Sequence, residues 1–202
     1  MAWTRCVKGT PADQDMSWPI AVPSMKASSP WYAARHMLTD ADDIPRFSKA
    51  RITAEMSPAI FHEPVVEKIP HLLKWAFNPI LETGAHMSIG SDWFLPENPS
   101  LFDALSAIVD KIEYHPGGRP SAALSEGKSK RERGGEILCQ VITRSGAEAV
   151  GAQHRTGSLE VGKTANFIAV DRDLSRGEFA GATVLKTWFE GRMVHDTEGL
   201  CS

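Results

Sequence analysis

Hydrophobic and polar residues alternate one by one over residues 51–57, which is the pattern of a strand with one buried face. Ile52, Ala54 and Met56 fall on the inner side of this pattern, and the residues between them are polar. A second short run of strand type covers residues 86–93 and passes into a glycine turn. We therefore predict a half-buried strand at the first run and a short strand at the second.

Apolar residues at helical spacing predict helices around these two strands. Residues 42–50 fit a short helix, and residues 64–82 fit a longer one, after which Gly84 acts as the terminator. Residues 99–112 give the clearest helix of the chain because one face is continuously apolar. Residues 137–151 return to the helical pattern.

The remaining segments have a different character. Residues 114–136 are rich in glycine, serine and charge, and we predict a long exposed loop there. Residues 166–172 and 183–195 have strand patterns, and the second run predicts a hairpin that turns at Glu190 and Gly191. The antiparallel strands therefore lie at the end of the chain.

The order of elements predicts an α/β fold with a parallel sheet and a small β unit, because strands and helices alternate before the final strands. We divide the chain into an irregular N-terminal segment (residues 1–34), an α/β part (residues 35–150) and a β part (residues 151–202). The first segment contains four prolines and shows no sustained period.

Composition excludes several classes of protein. The chain has 202 residues, 42% of them hydrophobic and 23% charged, which suits a globular protein with one sizeable core. A formal net charge of −3 leaves no basic surplus for nucleic acid. Cys6, Cys139 and Cys201 are odd in number and far apart, which favours a reducing compartment over a disulfide framework. No long uncharged apolar run is present, so we expect a cytoplasmic protein without membrane segments.

Asp92 is the strongest candidate for a catalytic residue. It follows a predicted strand and a Gly-Ser pair, and catalytic side chains of parallel α/β folds gather at the C-terminal ends of strands. A carboxylate at that place can coordinate a metal or accept a proton. The alternative is that Ser91 and Asp92 only cap a turn, which spacing alone favours.

The seven histidines include no HxH or HExxH pair, so each one by itself is more often a surface or core residue than a metal ligand. His36 and His62 carry further weight because they lie near predicted strand ends. His86 is at the start of its strand, which is the wrong end for catalysis.

Several segments together resemble the C-terminal part of the amidohydrolase family 3 proteins. They are DDIPRF, RITAEMSPAIF, TGAHMSIGSDW, the run TRSGAEAVGAQHRTGSLEVGKTANFIAVDRDL, and WFEGRMVHD. The resemblance implies the last two or three strands of a (β/α)₈ TIM barrel, followed by the β-sandwich strands of a small composite domain. Residues 51–57 match the seventh barrel strand and residues 86–90 the eighth.

The resemblance also implies a chemistry. The family's proteins are metal-dependent hydrolases that act on carbon–nitrogen bonds other than peptide bonds, with a divalent metal, usually zinc, at the C-terminal ends of the strands. On this alignment Asp92 matches the aspartate that closes the eighth strand, touches the metal site and serves as the general base. His36 falls near the histidine ligand of the sixth strand, and it matches equally a non-ligand histidine just upstream of that motif. The substrate would be a small amide-type molecule.

Departures from the family pattern lead us to expect a truncated chain that is inactive alone. A full barrel needs about 250 residues, and the HxH pair of the first strand is missing. An incomplete barrel exposes apolar surface, from which we expect a homo-oligomer. The alternative hypothesis is a non-catalytic fragment or a small binding or interaction module.

Overall fold

The fold was analysed in a computed structural model, which describes residues 42–57, 76–91, 100–113 and 127–198 and the backbone of residues 32–35. The helices and strands in chain order are β1 (Tyr32–Arg35), α1 (Ile44–Ala50), β2 (Ile52–Met56), α2 (Phe77–Glu82), β3 (His86–Ile89), α3 (Leu101–Ile108), α4 (Lys130–Gln140), α5 (Gly146–Ala149), β4 (Phe167–Val170), β5 (Val184–Phe189) and β6 (Arg192–Asp196). A π-helical stretch, Val141–Ser145, joins α4 to α5, so the helix predicted over residues 137–151 is confirmed.

The first three strands form a parallel sheet in the order β1-β2-β3. In the register between β2 and β3, Thr53 lies level with His86 and Glu55 lies level with Ser88. The predicted parallel sheet is therefore confirmed. Strand β1 begins at Tyr32, inside the segment of residues 1–34 that we predicted to be irregular.

The inner face of strand β2 is buried as predicted, but its other face is less solvated than in a half-buried strand, because Thr53 is buried and Glu55 is partly buried. Ile52, Ala54 and Met56 are at most 4% exposed, as the alternation predicts, but Thr53 between them is 0% exposed. Parallel strands are normally covered on both faces, whereas simple alternation is the pattern of a sheet with one solvated face. Arg51 is outside the strand and ends α1 in the left-handed conformation, with φ of 53°.

One hydrophobic core joins the apolar side of β2 and β3 to the helices. Its largest fully buried apolar side chains include Phe47, Met56, Ile80, Leu81, Met87, Leu105, Ile108, Ile137, Leu138 and Phe179. These residues come from α1 to α4, from β2 and β3, and from the segment before β5. Burial of this apolar surface supplies the main stabilisation of the α/β part.

Helix α4 begins at Lys130, so the exposed loop predicted over residues 114–136 is wrong for its last seven residues. The start of the helix is a capping box. The Ser129 side chain accepts a hydrogen bond from the Glu132 backbone N–H at 3.2 Å, and the Glu132 carboxylate accepts one from the Ser129 N–H at 2.9 Å. Two backbone groups that the first turn leaves unpaired are thereby satisfied.

Two glycines inside α4 allow very close packing. A Cβ at Gly134 would lie 2.3 Å from the carbonyl oxygen of Val109, and a Cβ at Gly135 would lie 2.5 Å from the backbone nitrogen of Gly177. Glycine weakens an isolated helix by about 1 kcal/mol relative to alanine. Here the missing side chains let two backbone segments touch the helix, and for this reason the glycine-rich sequence still forms a helix.

The last three strands form an antiparallel sheet in the order β4-β5-β6. Glu190 and Gly191 connect β5 to β6, and both have positive φ, at 51° and 77°. This is the backbone that a two-residue hairpin requires, and the predicted hairpin is confirmed. Phe167 and Trp188 stack across β4 and β5 with ring centroids 4.5 Å apart. Within the described ranges, no helix is long and apolar enough to span a bilayer.

Candidate functional site

Asp92 and His36, the two candidate site residues, lie outside the described residues, and their roles stay predictions. The structure describes the strands that lead to both of them. Strand β1 ends at Arg35, directly before His36 in the chain, and Ser91, two residues after the end of β3, directly precedes Asp92. His62 also lies outside the described ranges.

Four side chains from β2 and β3 define a polar face of the parallel sheet, opposite the apolar core. These residues are Thr53, Glu55, His86 and Ser88. They share one face because successive residues of a strand alternate sides and the register pairs Thr53 with His86 and Glu55 with Ser88. In sequence alone, Thr53 and Glu55 fit the solvent side of a half-buried strand.

Glu55 and Gly90 meet at the C-terminal end of the polar face. The Gly90 backbone N–H donates a hydrogen bond to the carbonyl of Met56 at 3.0 Å, which extends the pairing of β2 and β3 by one residue. A Cβ placed on Gly90 would lie only 2.9 Å from Oε1 of Glu55, so the carboxylate lies directly over this glycine. The alternating pattern of the strand did not single out Glu55. The available signal was an acidic side chain one residue before the end of a parallel strand.

His86 lies at the other end of the polar face, where it joins a chain of hydrogen bonds. Its Nδ1 is 2.8 Å from Oγ1 of Thr53, and its Nε2 is 3.2 Å from Oε2 of Glu148 on α5. An ionised carboxylate only accepts hydrogen bonds. Nε2 of His86 therefore carries a proton and donates a hydrogen bond to Glu148. In the neutral imidazole, Nδ1 then accepts from the Thr53 hydroxyl. Arg144 Nε donates to the second oxygen of Glu148 at 2.8 Å.

This arrangement has the order of a nucleophile, a base and an orienting acid, but its burial argues against catalysis. Thr53 is 0% exposed and His86 is 2% exposed, so a substrate has no access to the hydroxyl. The hydrogen bonds instead satisfy buried polar groups and connect β2, β3 and α5. We therefore assign this chain of residues a structural role.

The side chains at the C-terminal end of the polar face provide only part of the ligand set that a divalent metal needs. Glu55 offers carboxylate oxygens there, which zinc accepts together with histidine nitrogens. Among the described residues, however, no three histidine, cysteine or acidic side chains lie close enough to hold one ion. Cys139, the cysteine that the structure describes, belongs to no such group of side chains. Any further ligands must come from residues outside the described ranges, such as His36 and Asp92.

Comparison with known proteins gives one family and a group of related structures. The sequence model of the Amidohydrolase family matches residues 32–195. The chain is 44% identical over 61 residues to N-acetylglucosamine-6-phosphate deacetylase from Vibrio furnissii, an alignment that covers 27% of this chain and 13% of that protein.

Two solved structures of enzymes have a fold similar to that of this chain. An adenosine deaminase from Xanthomonas campestris with bound zinc has a TM-score of 0.54 and 18% identity, over 80% of this chain and 36% of that one. A mutant of atrazine chlorohydrolase from Arthrobacter aurescens, complexed with zinc and atraton, has a TM-score of 0.51 and 17% identity, over 83% and 36% of the two chains.

The chain thus spans little more than a third of the length of these two enzymes. At this identity the structural likeness establishes the fold alone. The family match, in contrast, extends from β1 to β6 and includes both sheets and the helices between them. The chain therefore belongs to the Amidohydrolase family and corresponds to its C-terminal part.

Proposed function

We propose that this chain is the C-terminal part of a metal-dependent hydrolase that acts on carbon–nitrogen bonds other than peptide bonds. The observation that carries the proposal is the family match over residues 32–195. The similarity to a deacetylase over 61 residues supports the same class of bond. The substrate would be a small amide-type molecule.

In this proposal β1, β2 and β3 are the last three strands of a (β/α)₈ barrel. Their parallel pairing supports it, and so do the buried residues on both faces of β2 and β3. Strands β4 to β6 would belong to a small composite β-sandwich. The division into residues 1–34, 35–150 and 151–202 stays a prediction, and β1 (Tyr32–Arg35) crosses its first boundary.

The chemistry would take place at the C-terminal ends of β1 to β3. Zinc, or another divalent metal, supplies Lewis acidity for the hydrolysis when bound. Of this chain's residues, Asp92 would hold the metal and accept a proton as the general base, and His36 would be a second ligand. A catalytic zinc needs about three protein ligands and one open position. We therefore propose that the chain alone is inactive and that the missing ligands come from sequence beyond this chain.

Metal analysis of the purified chain tests the proposal. A centre that a second copy of the chain completes predicts about one zinc per chain, since Asp92 and His36 alone supply only two of the three protein ligands. Asp92→Asn should lose the metal, whereas Asp42→Asn, which makes the same charge change on the exposed residue before α1, should keep it. Wild-type protein without zinc above the background of the control preparations would refute the metal centre for the isolated chain.

The proposed truncation has a separate test in the coding sequence. An HxH motif in frame upstream of Met1 would supply the first-strand ligands that this chain lacks. Stop codons upstream without such a motif would leave the non-catalytic fragment as the better hypothesis.

Exposed apolar side chains favour a second candidate function, that of an interaction module. They are concentrated in β4 to β6 and the segment before them: Val150, Leu159, Val161, Phe167, Ile168, Leu185, Phe189, Met193 and Val194. Such surface commonly associates with other apolar surface. We expect a homo-oligomer in size-exclusion chromatography with light scattering. A monodisperse monomer at micromolar concentration would contradict this expectation.

The cytoplasmic location also stays a prediction. Cys139 is a free thiol in the described part of the chain, which suits a reducing compartment.

A further inference from the structure

We infer that residues 174–179, which lie between β4 and β5, form a strap that holds the β4–β6 sheet to helix α4, and that the sheet stays folded only while this strap is docked. The strap is a conformational device of the fold. Its role is independent of the proposed metal centre, and every residue that supports it lies in the described part of the chain.

The β4–β6 sheet has no hydrophobic core of its own. Across residues 151–198, which the structure describes without a gap, Phe179 is the only buried apolar side chain, at 0% exposure. Large apolar residues on the strands are exposed instead, and Phe189 and Val194 are 52% and 53% exposed. A small sheet is stable in water only when it buries a hydrophobic face or packs against a helix. The stability of this sheet must therefore come from the α/β part.

Phe179 connects the sheet to the α/β part. It lies outside every strand, and its ring belongs to the same buried cluster as Leu138 of α4 and Val109. Leu174 in the strap and Val184 at the start of β5 are partly buried against that cluster. The strap thus carries the one fully buried anchor that the C-terminal part places in the core.

The strap also lies directly on the backbone of α4. Leu174–Arg176 is a single turn of 3-10 helix, which Gly177 ends in the left-handed conformation with φ of 80°. A Cβ on Gly135 of α4 would stand 2.6 Å from the carbonyl oxygen of Ser175 and 2.8 Å from that of Leu174. The docked position of the strap therefore depends on the glycine in α4.

A polar contact fixes the strap at the same place. Arg131 of α4 donates a hydrogen bond from Nη2 to the carbonyl of Gly177 at 2.9 Å. Its Nη1 donates to the carboxylate of Asp110, which directly follows α3 in the turn Val109–Lys111. One guanidinium therefore joins α4, the strap and the end of α3.

Two phenylalanines offer a matched pair of variants. Phe179→Ala removes the buried anchor, whereas Phe189→Ala makes the same change on an exposed side chain within β5. Arg131→Met removes the hydrogen bond to the strap and keeps an apolar stem of similar length. Ile80→Val is the control for general loss of core packing, since Ile80 is fully buried in α2.

The experiment is hydrogen exchange of the full chain, read by mass spectrometry of peptides from β5 and β6. We expect Phe179→Ala to accelerate exchange in these strands by at least about 100-fold, although the changed residue lies in neither of them. Arg131→Met should accelerate it about tenfold. Phe189→Ala should change the rates less than about threefold. Ile80→Val should leave them unchanged, because release of the strap leaves α2 in place.

Two results would overturn the inference. Exchange of β5 and β6 at the wild-type rate in Arg131→Met, or in a folded Phe179→Ala, would mean that the sheet is stable without the strap. Equal acceleration by Ile80→Val and Arg131→Met would mean that the sheet depends on the whole core and not on the strap. If Phe179→Ala does not fold, the comparison of Arg131→Met with Ile80→Val decides.

Discussion

Replacement of His86 by alanine should strongly destabilise the fold, although His86 is not a candidate for catalysis. The change removes a hydrogen bond with buried Thr53 and another with the carboxylate of Glu148. The first bond is worth about 1 kcal/mol, and the second about 1.5 kcal/mol because its acceptor is charged. The value for the bond to Glu148 is the low end of the range for charged acceptors. The Glu148 side chain is 23% exposed, so its carboxylate can regain a hydrogen bond from water. With about 1 kcal/mol for the cavity, the expected loss is about 3 to 4 kcal/mol.

The measurement is the free energy of unfolding in urea, with fluorescence and circular dichroism as independent probes. His195→Ala is the matched control because His195 is exposed on β6, and we expect it to change the free energy by no more than about 0.5 kcal/mol. Thr53→Val should cost about 1 to 2 kcal/mol alone, since it leaves Nδ1 of buried His86 without its hydroxyl partner.

The double variant tests whether these residues act together. After His86→Ala, the Thr53 hydroxyl is a buried group that has lost its partner, so Thr53→Val should then be neutral or stabilising. Additive losses from the two changes would refute the assigned hydrogen bond. A loss below about 1 kcal/mol for His86→Ala would refute the structural role of the whole chain of hydrogen bonds.

Other parts of the molecule give three further predictions. In chemical denaturation, Gly134→Ala should destabilise the protein by about 1 to 3 kcal/mol, because the methyl group would clash with the Val109 carbonyl. Helix propensity alone predicts a gain of stability, and such a gain would contradict the close packing of α4 against Val109. Cys139 should react slowly with iodoacetamide at pH 8 and quickly in denaturant. Burial raises the pKa of its thiol to about 11, so about a thousandth of the thiol is ionised at pH 8. Equal reaction rates in peptide mapping would contradict its burial. Hydrogen bonds from Ser129 lower the pKa of Glu132. The stability difference between wild type and Glu132→Gln should therefore be present at pH 6 and vanish as the pH falls through the lowered pKa. A difference that grows in acid would have the wrong sign and would contradict the prediction.

The sequence predicted those elements whose local pattern agrees with their environment. The apolar side of β2 and the hairpin at Glu190 and Gly191 are examples, because alternation and turn chemistry act over a few residues. The first seven residues of helix α4 were missed because they are charged and contain Gly134 and Gly135, which suit a loop by composition. Their real role depends on Val109 and Gly177, which are far away in sequence.

The candidate site shows a similar limit. Asp92 and His36 were singled out by motif and resemblance, and both lie outside the described residues. Glu55 was placed on the solvent side because alternation cannot distinguish a solvated face from the covered face of a parallel sheet. Its contact with Gly90 depends on the pairing of β2 with β3, which connects residues 35 positions apart.

Anomalous diffraction at the zinc absorption edge, from crystals of the zinc-loaded chain, tests the proposed metal centre most directly. We predict one strong peak at the C-terminal ends of β2 and β3, beside Asp92 and on the side of the sheet where Glu55 meets Gly90. A peak confined to surface histidines such as His195, or no peak at full zinc loading, would contradict it.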